Sequence, residues 1–162
     1  MAKREQSLRM KYLKTNREED FQRIKEVDKI NREEFKKIFK EIGYISSEYG
    51  KDIQLAAFLI VHHMPKEDTP FMKQYLSLMK NDLGNINPLN YAQLVDRVRI
   101  YEGKNQLYGT QFTSIEGKKG KYRLHKVYNS KEVDKRRKEI GLEPLKEYIE
   151  KISKERNIAI FR

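Results

Sequence analysis

The chain has 162 residues, enough for one domain with a buried core, and 38% of them are hydrophobic against 36% charged. Its formal net charge of +11, from 35 Lys and Arg against 24 Asp and Glu, favours anionic partners, although a Lys-rich surface with Glu interspersed along its helices also serves simply for solubility. With no cysteine, disulfides, zinc–thiolate sites and thiol nucleophiles are excluded.

Met1 to Gln6 is followed by no apolar signal region, and the longest apolar run, Leu55 to Val61, is too short for a membrane span. The expectation is a soluble, cytoplasmic protein with no membrane partner. Leu8, Tyr12 and Leu13 belong to a short first helix. Asn16 with Glu19 three residues on forms a capping box for a longer one. There Phe21, Ile24, Val27, Ile30, Phe35, Ile38, Phe39 and Ile42 recur at helical spacing, and Gly43 is a natural stop. The most apolar helix runs roughly from Asp52 to His63 and ends before Pro65. Asp68-Thr69-Pro70 caps a helix with Phe71, Tyr75, Leu78 and Met79 that closes at Gly84. Asn87-Pro88 starts another, reaching Tyr101 or Glu102 before Gly103.

The pattern then changes. Tyr108 to Ile115 and Tyr122 to Tyr128 are rich in aromatic and β-branched residues and flank the turn-forming Glu116 to Gly120, so they predict a β-hairpin. Asn129 with Glu132 suggests a second capping box, for a short basic helix ending at Gly141. Pro144 opens a last helix with Leu145, Tyr148, Ile149 and Ile152. The reading is mainly α: a single domain over 1–162, helical over 1–103, with a small hairpin at 108–128 and C-terminal helices over 130–156.

Polar chemistry gathers between Asp96 and Phe112. At 100° per residue, Tyr91, Leu94, Val95, Val98 and Tyr101 share one helix face that Glu102 extends, with Arg97 and Arg99 flanking it and Asp96 nearly opposite. An ordinary structural reading makes these groups ion pairs; a functional one makes them a site, because buried polar groups need partners or a purpose. Gly109 permits a tight turn or the close approach of a ligand. Tyr108 offers a stacking surface, Thr110 a hydroxyl, and Gln106 and Gln111 carboxamides suited to reading the edge of a base. His62 and His63 diverge by about 100° on a helix and would chelate one metal badly, so no metal or other cofactor is expected. A proton-transfer role suits a histidine there better. Phosphate-loop, dinucleotide and nucleophile-elbow motifs are absent. Lys135-Arg136-Arg137-Lys138 is a basic run, either solvated or phosphate-binding.

Asp96-Arg97-Val98, Glu102-Gly103, Gln106 and Tyr108-Gly109-Thr110-Gln111-Phe112 resemble the core of a bacterial family, the domain of unknown function numbered six-six-two-four. The helix end at His62-His63, the segment around Phe71, and Val133-Asp134, Arg136-Arg137, Gly141-Leu142, Pro144-Leu145 and Tyr148 fit the same resemblance, which covers roughly Glu5 to Ile152. One departure is His62, where the family usually has Gln. The resemblance implies a helical stand-alone domain of bacterial or phage origin with a polar pocket, and brings no activity.

Three functions follow as expectations. The first is binding of an anionic, nucleotide-derived small molecule, as a sponge or sensor of a nucleotide signal. Its ligand-binding residues would be His62, Arg97, Arg99, Gln106, Tyr108, Gly109, Thr110, Gln111, Arg136 and Arg137. The second is an enzyme on the same ligand, with His63, Asp96 and Glu102 as its acid–base groups. The third is nucleic-acid binding through basic faces. Oligomeric state is not legible.

Overall fold

A computed structural model describes residues 2–15 and 17–161, with the side chains of residues 2–6, 13 and 14 outside the description. The expected Asn16 cap and the packing of Leu13 therefore lie outside the described residues. Seven α-helices and one three-stranded sheet make the described chain mainly α. It divides into two compact units, residues 1–85 and 86–162.

The first unit holds α1 (Ala2–Thr15), α2 (Glu18–Ile42), α3 (Lys51–His62) and α4 (Thr69–Asn81). The start of α2 is organised by Asp20, one residue beyond the predicted Glu19. Asp20 is buried, accepts from the Thr15 hydroxyl at 2.7 Å and Arg17 Nε at 3.0 Å, and pairs with Lys11 at 2.9 Å. Those hydrogen bonds hold its carboxyl well below the usual carboxylate range. The inward row of α2 is Asp20, Ile24, Asn31, Phe35 and Phe39. Ile30 lies about 120° off that row and is exposed, as are Ile38 and Ile42 toward the helix end. On α4 the buried positions are Met72, Tyr75 and Met79. Asp68 precedes that helix without capping it; its carboxylate pairs with Lys36 at 2.7 Å and Arg32 at 3.4 Å. Phe35, Phe39, Phe71, Tyr75 and Tyr44 form a run of ring contacts at 5.0–6.4 Å. Ala57, Phe58, Ile60 and Val61 of α3 are also buried.

The second unit begins with α5 (Pro88–Tyr101), capped as predicted by Asn87, whose side chain accepts from the Leu89 amide at 2.9 Å. The hairpin is shorter than predicted: β1 (Phe112–Ser114) pairs antiparallel with β2 (Lys121–Leu124). Between residues 106 and 111 the pairing is reduced to a parallel bridge of Gln106 with Val127 and the bond from the His125 amide to the Gln111 carbonyl, because the amides of Leu107, Tyr108 and Thr110 turn to Asp96 of α5. A third strand, β3 (Ala159–Phe161), pairs parallel with β2, and the sequence reading missed it. Three residues are too few to show an alternating pattern. Asn129 adopts a left-handed conformation (φ 40°) and makes no side-chain cap, so the expected box is a single 3₁₀ turn leading into α6 (Val133–Glu139). Finally α7 (Leu145–Arg156) buries Leu145, Tyr148, Ile149 and Ile152 with Val133, against Phe112, Leu124 and Ile160 of the sheet. No helix among the described residues is long and apolar enough to cross a membrane.

Candidate functional site

Asp96 sits on α5 with no solvent exposure, because both faces of that helix are covered. Its carboxylate accepts from the amides of Leu107 (2.6 Å), Tyr108 (3.0 Å) and Thr110 (2.9 Å) and from the Thr110 hydroxyl (2.8 Å). Burial pushes this carboxyl up, and the donors from Tyr108, Thr110 and Leu107 oppose that push. The donors come from one tight loop, and Gly109 makes it feasible. Its φ is +76°, and a Cβ there would fall 2.6 Å from Leu145 Cδ1.

The carboxamides complete the loop. Gln106, fully buried, donates to the His125 carbonyl at 2.6 Å and accepts from the Gln111 amide at 2.9 Å. The Gln111 side chain accepts from Arg97 at 3.0 Å and donates to the Gln93 carbonyl at 3.1 Å. From α6, Arg136 Nε donates to the Leu107 carbonyl at 3.0 Å and Arg137 to those of Tyr108 and Glu143, both at 2.6 Å. The Arg137 guanidinium lies 4.6 Å from the centre of the Tyr148 ring. Arg99 donates to the Asn105 carbonyl at 2.7 Å, and Glu102 pairs with Lys104 at 2.7 Å.

The structure thus gathers Asp96, Arg97, Gln106, Tyr108, Gly109, Thr110, Gln111, Arg136 and Arg137 into one network. Its bonds run mostly to main chain, so these groups build a loop. Glu102 and Arg99 stand at the margin of that network, at the end of α5.

His62 and His63 belong to the first unit. The His62 ring stacks on Phe58 with centroids 5.2 Å apart. His63 caps α3 and lines a cavity of about 390 Å³ together with Lys25, Asp28, Lys29, Asn31 and Arg32 of α2 and Ile60, Met64 and Pro65. Three cations and one carboxylate line it, and Arg9 already pairs with that carboxylate, Asp28, at 2.6 Å. Lys25 lies over the Phe21 ring, and Arg32 contacts Glu33 and Asp68. Asn31 is 6% exposed, and its amide nitrogen has no hydrogen-bond partner among the described residues. Such an orphan donor costs about 1–3 kcal/mol until something accepts from it. Sequence reasoning missed Lys25, Lys29, Asn31 and Arg32. The available signal was Asn31, a polar residue recurring with Ile24 and Phe35 on the inward row. Among the described residues no three His, Asp or Glu side chains are grouped to hold a metal ion.

A profile for a family of unknown function, DUF6624, matches residues 2–159. The chain belongs to DUF6624. In this DUF6624 protein that span takes in the seven helices of the described residues and both the loop network and the cavity. No curated protein and no solved structure matches the chain.

Proposed function

We propose that this protein binds an anionic small molecule of nucleotide type in the cavity beside His63. The observation that carries this reading is the cavity's lining: an excess of cations around a buried amide donor that lacks an acceptor. Lys25 and Lys29 take the phosphate oxygens as mobile point charges, and Arg32, held by Glu33 and Asp68, adds its charge to the lining. Asn31 donates to a carbonyl or hydroxyl of the ligand, and the volume lies within the usual range for small-molecule sites. The loop network of the second unit is not needed for recognition, since its donors and acceptors serve its own backbone. A cytoplasmic sponge or sensor of a nucleotide signal fits this chemistry.

A thermal-shift screen with AMP, cyclic AMP and ADP-ribose tests it. Stabilisation by at least one of them, lost in Lys25→Ala/Lys29→Ala, is the expected result; no stabilisation by any of them refutes it. An enzyme reading draws on one observation: His63 and Asp28 line the same cavity, so an acid–base pair and a ligand could meet there. A bound nucleotide recovered unchanged from denatured complex favours binding, and a chemically altered one favours catalysis.

A further inference from the structure

The three-stranded sheet has one face on the core and one away from it. Phe112, Leu124 and Ile160 pack on the α7 cluster, which leaves the alternate positions outward. In register these are Thr113 beside Arg123 beside Phe161, with Lys121 beside Ala159 in the neighbouring row. All five are exposed, and Phe161 keeps 46% of its surface. No acidic residue occurs among them. The connecting turn adds Lys118 and Lys119 against a single carboxylate, Glu116.

An exposed aromatic ring beside one cation, with a second cation on the same face, suits single-stranded nucleic acid. A ring stacks on any base face, while cations follow the backbone without reading sequence. Lys121 and Arg123 are alternate residues of β2, so they stand about 6.6–7 Å apart, close to the phosphate spacing of an extended strand. Arg123 and Phe161 are directly opposed on neighbouring strands, about 4.8 Å apart. A phosphate contact and a base contact can therefore come from one nucleotide. The face is only three strands wide, which fits one to a few nucleotides and offers a duplex no groove-filling element. We infer that the outward sheet face of the second unit is a binding site for single-stranded nucleic acid, with Phe161 stacking a base and Lys121 and Arg123 holding phosphates.

The test is fluorescence anisotropy with labelled oligo(dT) and oligo(U) of about 12 nucleotides, across a salt series, on the full chain. Both strands bind, and a duplex of equal length binds more weakly. Phe161→Ala weakens binding about tenfold without changing the salt slope, because stacking releases no counterions. Lys121→Ala/Arg123→Ala flattens the slope by about 0.7 for each phosphate that is no longer neutralised. Lys37→Ala/Lys80→Ala, which removes two exposed cations of the other unit, leaves both affinity and slope as they are. No binding at low salt overturns the inference. So do an unchanged affinity in Phe161→Ala, equal affinity for the duplex, or loss of binding in the Lys37/Lys80 variant.

Discussion

Replacing Gly109 by alanine tests whether the Tyr108–Thr110 turn is held by contact with α7 as well as by hydrogen bonds. Two costs arise. A side chain at φ +76° adopts the left-handed region, about 1–2 kcal/mol. The added methyl would also sit 2.6 Å from Leu145 Cδ1, in a residue only 5% exposed, and such overpacking costs about 1–3 kcal/mol. The sum is about 2–5 kcal/mol. Gly117→Ala is the internal control, since its φ is +69° but nothing lies within 4 Å of the added atom, so it bears the first cost alone. Urea unfolding followed by circular dichroism measures both. In a Leu145→Ala background the steric part vanishes, and Gly109→Ala falls to the cost of the control. Equal losses for Gly109→Ala and Gly117→Ala in the native background would refute the close-contact argument.

Three further outcomes are expected. Asp96→Asn keeps one acceptor oxygen and turns an NH₂ toward the Thr110 amide, costing about 2–4 kcal/mol in urea unfolding; a loss under about 1 kcal/mol would show that the loop does not depend on it. Because Asp20 is held below its ordinary range, the unfolded chain takes up that proton first as pH falls, so its contribution is present at about pH 5 and shrinks in acid. The stability gap between wild type and Asp20→Asn should therefore narrow from about pH 5 to about pH 3, and a constant gap would contradict this. Asn31→Leu removes an orphaned donor, so it should stabilise the free protein by about 1 kcal/mol while abolishing the thermal shift with whichever of the three nucleotides stabilises the wild type. Retention of that shift would remove Asn31 from the site.

Helices were legible where spacing and punctuation agreed. Asn87 and Pro88 announce α5, and Leu145, Tyr148, Ile149 and Ile152 fix the buried side of α7. Ile30 misled because a methyl-rich side chain counts as inward by type, whereas Asn31 one position on is the buried one. The crowding of polar groups between Asp96 and Gln111 was visible, but its destination was not. A carboxylate aimed at three amides of its own chain reads in sequence just like one aimed at a ligand. The cavity beside His63 depends on residues of α2 and α3 separated by about 30 positions, and its lysines look like any polar helix face.

The peptide joining Leu107 to Tyr108 has its N–H on Asp96 and its C=O on Arg136. Main-chain N–H and C=O point in opposite directions across a trans peptide, so one amide plane lies between an anion from α5 and a cation from α6. The two side chains act as an ion pair relayed through a polarised amide, which strengthens both bonds at once. Each side chain holds one end of that plane, and together they fix its direction. The loop therefore carries a permanently aligned dipole, set by two helices that need not touch each other.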